Sequence, residues 1–255
     1  MNGDRNGVRL AHICRHPIKS AGFEELARVA LTPGRTLPYD RAWAVAHAGA
    51  DFADAPARWE PKLKFLRGWA EGALMALRSQ FNDATQTVTL SHPARPDLTA
   101  RLPDEGAAVV DWLRPLWPAR RPAPVRLVAR ADGGALTDVP DPWVSILSLT
   151  SNRILGQRLG QELSIHRWRG NLWLEGLAPW EEFDLIGREI EIGAVRLKVR
   201  ERITRCRATC ANPETGRLDA DTLGVLEEGY GHQDFGVYAE VIAGGPVAVG
   251  DRMTC

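Results

Sequence analysis

The sequence is short of cysteine, of long apolar runs and of any surplus of charge. Its 255 residues include only four cysteines, Cys14, Cys206, Cys210 and Cys255. They are too few and too scattered for a disulfide framework, and they lack the four-cysteine spacing of a ferredoxin-type cluster. No apolar run reaches the roughly 18 residues of a membrane-spanning helix, so no membrane partner is expected. Lys plus Arg and Asp plus Glu each number 32, a formal net charge of zero. With no basic excess, nothing argues for nucleic acid or an anionic membrane surface. The opening Met1-Asn-Gly-Asp-Arg-Asn-Gly7 lacks the apolar centre of a secretory signal. The expected compartment is therefore a reducing cytoplasm. There is no internal repeat and no low-complexity tract.

What is present is an ordinary globular balance, 44% hydrophobic and 25% charged, on a length that suits one large domain or two modest ones. Val8 to Ile13 alternates as a first strand, and Glu25 to Leu31 reads as a second. Asp40-Arg41 opens an apolar strand, and residues 49 to 62 read as loop. Leu74 to Arg78 and Thr85 to Ser91 resemble strands paired across Asn82-Asp83. Residues 104 to 117 have helical spacing, ended by Pro115. Pro118 to Pro124 is a Pro/Arg connector and the predicted boundary between two units, 1–122 and 123–255.

In the second half, Val144 to Leu149 is apolar, and Thr150 or Ser151 caps a helix through Leu159 that Gly160 closes. His166 to Leu174 reads as a strand, with Arg167 and Arg169 on one face. Trp180 to Phe183 reads as loop. Glu189 to Ile192 and Val195 to Val199 form a hairpin around Gly193. A short helix over Asp221 to Glu228 and a last hairpin, Val237 to Ile242 with Pro246 to Val249, complete it. Many short strands with a few short helices predict a mainly β fold, a β-barrel.

The chemistry concentrates in Ile203-Thr-Arg-Cys-Arg-Ala-Thr-Cys-Ala-Asn-Pro-Glu-Thr-Gly216. Cys206 sits where a strand gives way to a loop, flanked by Arg205 and Arg207. Neighbouring positive charge favours the thiolate, the form that binds metal or attacks. The alternative is a small apolar residue that happens to be cysteine. Lys19-Ser20 places an ammonium beside a hydroxyl, as suits an anion. The same pair also fits a solvated strand end. Arg41, and Arg169 with Asn171, are further points of this kind.

Taken in order, His16-Pro-Ile-Lys-Ser20, Asp40-Arg41, Arg167-Trp-Arg169-Gly-Asn171, Thr204-Arg205-Cys206, Asn212-Pro-Glu-Thr-Gly216, Phe235-Gly236-Val-Tyr238 and Val249-Gly250-Asp251 resemble the MOSC family. That family is named after the C-terminal domain of molybdenum-cofactor sulfurases. The resemblance covers nearly the whole chain. It implies an N-terminal β-barrel domain over 1–122 and the MOSC β-barrel over 123–255.

The resemblance is strongest to the amidoxime-reducing components. It implies a molybdenum cofactor, held as molybdopterin, with Cys206 as metal ligand and catalytic residue. Lys19, Ser20, Arg41, Arg169, Asn171 and Arg205 would hold the pterin and its phosphate. Asp138 or Asp141 would be the acidic residue near the metal. The implied activity is reduction of N-hydroxylated or N-oxygenated small molecules, with electrons from a separate carrier of ferredoxin, flavin-reductase or cytochrome type. The alternative is a sulfur carrier or cofactor-handling protein with a persulfide on Cys206.

No iron–sulfur cluster, flavin or pyridoxal phosphate is expected: the chain ends at Cys255 soon after the barrel with no ferredoxin domain appended, and the amino-transferase-like domain of the full sulfurases is missing. Gly170 stands where the family often has proline. Cys210 is an extra thiol, read as a bystander. If the segment stayed extended, its sulfur would lie well over about 10 Å from that of Cys206.

Overall fold

Residues 7–52 and 55–255 are described in the computed structural model, so part of the predicted 49–62 loop and the first six residues lie outside the described residues. Strands dominate. The chain opens with β1 (Arg9–Arg15), β2 (Glu24–Leu26), β3 (Arg28–Leu31) and β4 (Trp43–His47). A meander of β5 (Arg78–Asn82), β6 (Thr87–His92) and β7 (Arg95–Arg101) precedes helix α1 (Gly106–Leu113). Then come β8 (Pro124–Ala129), β9 (Val144–Ser148), α2 (Leu149–Leu159) and β10 (Leu172–Glu175). The chain closes with β11 (Glu189–Ile192), β12 (Val195–Thr204), α3 (Thr222–Tyr230), β13 (Asp234–Ala243), β14 (Gly245–Ala248) and β15 (Met253–Thr254).

The principal sheet runs β15-β11-β12-β13-β9-β10-β1-β2. β9 and β10 pair in parallel because α2 carries the chain back between them. Alternation along β11 and β12 buries Ile190, Ile192, Val195, Leu197 and Val199 on one face. They join Leu10 and Ile13 of β1, Val144 and Ile146 of β9, and Val237 and Val241 of β13 in one apolar cluster. The mainly β class holds. In the strand order β15 and β2 stand at the two ends, but an antiparallel bridge, Arg9 with Arg252, joins β1 to the segment entering β15, where Leu10 N donates to Asp251 O, Gly250 N to Leu10 O and Met253 N to Val8 O.

A second cluster packs Val45, Leu74, Leu77, Phe81, Val88, Leu90, Val109 and Leu113 between the meander, α1 and β4. Strands early in the chain pair with late ones: β1 with β10, β3 with β14 and β4 with β8. No helix among the described residues is long and apolar enough to cross a membrane.

Several elements differ from expectation for local reasons. Leu74 to Ala76 lies in a 3₁₀ turn (Gly72–Ala76) in which all three side chains are buried, with Glu71 accepting from Ala73 N at its start. The strand begins only at Arg78. β7 is not marked as a strand by the sequence pattern, because Pro96 lies within it and it pairs along one side only. α2 is capped by Ser148, whose Oγ accepts from Ser151 N at 3.2 Å, rather than by Thr150 or Ser151.

Residues 166–174 are not one strand. Ile165–Trp168 is a 3₁₀ turn capped by Ser164, and Arg169 follows in the left-handed region, φ 50°. Arg167 and Arg169 therefore do not share a strand face. Trp180 to Phe183 falls largely in another 3₁₀ turn, Glu181–Leu185. The last predicted hairpin is absent: β14 leaves β13 and pairs with β3. Gly244 permits this, since a Cβ there would come within 2.6 Å of the Leu31 carbonyl oxygen.

Candidate functional site

Lys19, Ser20, Arg41, Asp138, Arg169, Asn171, Arg205 and Cys206 all line one cavity of about 530 Å³. They arrive from five separate stretches: the loop after β1, the lead into β4, the loop before β9, the turn before β10 and the end of β12. Backbone hydrogen bonds fix these stretches together. Lys19 N donates to Trp43 O, Arg41 N to His16 O and Leu136 N to Arg41 O. Among the described residues six non-glycine residues have positive φ, and three of them, Ser20, Arg41 and Arg169, are on this wall. Such backbone costs about 1–3 kcal/mol per residue and collects at functional sites.

Each inner cation is held by protein acceptors. Lys19 Nζ donates to Leu136 O at 2.9 Å and pairs with Asp138. Burial pushes the Lys19 ammonium down, partly offset by Asp138. Burial acts to raise Asp138, but the charge and hydrogen bond of Lys19 prevail and hold it below the usual carboxylate range. Arg41 pairs with buried Asp40 and donates through Nη2 to Arg169 O at 2.7 Å. Asp40 Oδ1 also accepts from His16 N at 2.8 Å. Its carboxyl, which burial alone would raise, is thereby kept well below its ordinary range. Burial and the charges of Arg169 and Arg41 push His16 down to about 3, so its imidazole is neutral.

Arg169 donates to Gly22 O at 3.1 Å and lies within 3.4 Å of Ile18 O. Burial and the charge of Arg41 push it down to about 9, still protonated at neutral pH. Arg205 donates to Phe235 O and Trp168 O and sits over both rings, 5.9 Å from the Phe235 centroid and 5.6 Å from that of Trp168. Asn171 Oδ1 accepts from Ser145 N and Oγ, and Nδ2 donates to Cys14 O. Its amide thus joins β1, β9 and β10 beneath the cavity. Asp138 is on the cavity wall and Asp141 is not, which separates the two aspartates.

Cys206 is exposed at the end of β12, and a 3₁₀ turn (Arg207–Cys210) follows it. Its carbonyl accepts from both Thr209 N and Thr209 Oγ1. The segment therefore curls rather than extends. Cys210 is buried, with Sγ 3.5 Å from Thr222 Oγ1, and is not on the cavity wall. Among the described residues no group of three or more His, Cys, Asp or Glu could hold a metal ion.

Sequence reasoning missed Lys62, Arg67, Trp69, Arg167 and Trp143, which also line the cavity. The alternating Lys62-Leu-Lys-Phe-Leu-Arg67 run was a signal for the first two. In all, eight Lys and Arg side chains face three carboxylates on this wall, so the cavity favours an anion.

The model of the MOSC domain matches residues 134–254, so that stretch is a MOSC domain. Among curated proteins, none matches. Among solved structures, YiiM from Geobacillus stearothermophilus is 15% identical with a TM-score of 0.33, covering 44% of this chain and 52% of that one. The chain thus spans about half the length of YiiM. YuaD from Bacillus subtilis is 11% identical with a TM-score of 0.45, covering 96% of this chain and 93% of that one.

Proposed function

We propose that the chain is a molybdenum-cofactor oxidoreductase that reduces N-hydroxylated or N-oxygenated small molecules with electrons from a separate carrier protein. The observation that carries this reading is an exposed Cys206 thiol at a cavity with a strong excess of positive charge. The donor set fits a phosphate-bearing pterin. Arg167 lines the cavity, is 2% exposed, and its Nε and Nη1 have no hydrogen-bond partner. With no cage of three ligands among the described residues, a metal at Cys206 would take its remaining ligands from a cofactor. A soft thiolate is the protein ligand such a redox metal prefers.

In this reading Lys19, Ser20, Arg41, Arg169 and Arg205 hold the anionic part of the cofactor, and Asp138 keeps the Lys19 ammonium in place. Asn171 positions the strand ends beneath it. The bound cofactor supplies the redox-active metal. Residues 1–122 and 123–255 act as the two units that meet at the cavity, and a reducing cytoplasm keeps Cys206 free.

The test is metal analysis of protein made in a cofactor-producing host. About one molybdenum per chain, lost in Cys206→Ala, is the expected outcome. Stable sulfane sulfur on Cys206 without metal would replace this reading with the sulfur carrier.

A further inference from the structure

The inner cations Lys19, Arg41, Arg169 and Arg205 all donate to protein acceptors, but two cations at the same cavity do not. Among the described residues, the side chains of Lys62 and Arg67 have no hydrogen bond and no ion pair, while both line the cavity. Lys62 is exposed and Arg67 half-buried. Between them in character, and on the same wall, is Trp69, a large aromatic left 46% exposed. The Arg67 guanidinium carbon is 5.2 Å from the Trp69 ring centroid, and that of Arg121 is 5.6 Å from it. An indole flanked by guanidinium groups is a stacking platform in a positive field.

This segment is packed directly against the turn that follows Cys206. A Cβ built on Gly68 would come within 3.4 Å of Ala208 Cβ and 2.5 Å of Met75 Sδ. The Ala208 distance is ordinary van der Waals contact, so the stretch from Arg67 to Trp69 lies directly against that turn. Further on, a Cβ on Gly72 would be 3.5 Å from Ala211 Cβ, so the contact continues along the Cys206 loop. The stretch holding Arg67 and Trp69 therefore packs against the loop that carries the exposed thiol, and Lys62 lines the same cavity.

We infer that Lys62, Arg67 and Trp69 form the substrate-recognition wall of this cavity and select a planar aromatic molecule that carries a carboxylate. The ring stacks on Trp69, and the carboxylate takes the donors of Arg67 and Lys62. This deepens the functional reading above by naming the substrate class, and it rests on that reading only for the reaction, not for the binding. A charged hydrogen-bond partner removed from a carboxylate lowers affinity about tenfold or more.

The experiment is calorimetric titration of the full chain, without added cofactor, with 2-naphthoate and with its neutral counterpart 2-naphthamide. Wild type should bind naphthoate at least about tenfold more tightly than naphthamide. Arg67→Gln and Lys62→Gln should each weaken naphthoate about tenfold and leave naphthamide unchanged. Trp69→Ala should weaken both probes, with circular dichroism checking that the variant is folded. Equal binding of the two probes, no binding of either, or unchanged naphthoate binding in both cation variants overturns the inference. The last of these would put the carboxylate on the inner cations. Molybdenum content of the same preparations keeps the two readings apart. Metal without probe discrimination removes only the recognition wall, and discrimination without metal removes only the cofactor reading.

Discussion

At the scale of single residues, the two thiols of the Cys206 loop have opposite surroundings. Cys206 is exposed at the cavity, while Cys210 is buried against Thr222 of α3. On the proposed function, Cys206→Ser should abolish N-hydroxy reduction, because a hard, weakly acidic hydroxyl would not replace a soft thiolate at a metal bound there. Cys210→Ser should keep most of it, since a hydroxyl near Thr222 Oγ1 has a hydrogen-bond partner at hand. Reductase assays with an artificial electron donor check both, and activity lost only in Cys210→Ser would reverse the assignment.

Arg41 has a second duty that no sequence motif announces: it neutralises Asp40, which is 2% exposed. Arg41→Ala should therefore destabilise the fold by about 3–5 kcal/mol, as when one partner of a buried ion pair is removed. Asp40→Asn added to Arg41→Ala should recover much of that loss. An asparagine oxygen still accepts from His16 N and leaves no buried charge. Urea denaturation of the single and double variants measures it. If the double variant is no more stable than the single, Asp40 is not the cause.

At the scale of elements, legibility followed the locality of the signal. The β11–β12 hairpin was readable because Glu189 to Val199 alternates without a break around Gly193, whose φ of 58° turns the chain. α3 was readable from Asp221, which caps it through Gly224 N at 3.0 Å. The partner of β14 was not readable, because β3 lies more than two hundred residues away and pairing of that kind leaves no local trace. The 166–174 stretch misled for another reason. Alternating Arg and Trp imitated a strand, while the left-handed Arg169 ended the turn instead.

Most of the cavity's predicted residues lie where a strand or turn meets a loop, and these were found. Its aromatic rim, Trp69 and Trp143, was not, since nothing in the chain order ties either to Cys206. The 3₁₀ turn Glu181–Leu185 adds a buried acid that no pattern flagged. Glu182 is fully buried, its Oε2 accepts from Ser151 Oγ at 2.8 Å, and its Oε1 has no partner. Burial pushes its carboxyl up to about 7.

At the scale of the whole molecule, that acid, the buried His16 and the half-buried His166 set the response to pH in opposite directions. His166 is stacked on Phe23 with ring centroids 3.8 Å apart, and burial pushes it down to about 4 although Glu25 acts to raise it. His16 is pushed down to about 3, also chiefly by burial. An unfolded histidine titrates near 6.5, so on acidification below that value the unfolded chain takes up protons that the folded chain refuses. Stability due to the two neutral imidazoles is therefore present above about pH 6.5 and is lost as pH falls toward 4.

Glu182 has the reverse sign. Its folded value, about 7, lies above the ordinary 4.5, so between these values the folded chain binds the extra proton and stability from this group falls as pH rises. From pH 6.5 down to 4.5, these two histidines oppose one glutamate and win by about one proton, roughly 1.4 kcal/mol lost per pH unit, and His92, which burial also pushes down, adds to that loss. Glu182→Gln removes the opposing group. It should raise stability above pH 7 by up to about 3 kcal/mol, the value of some two and a half pH units. It should also steepen the acid loss toward two protons' worth. Urea denaturation of both proteins at several pH values between 4.5 and 8 gives the two slopes. Parallel profiles for wild type and Glu182→Gln would show that Glu182 is ionised in the fold at neutral pH. In that case its unpartnered Oε1 would have to be reached by water.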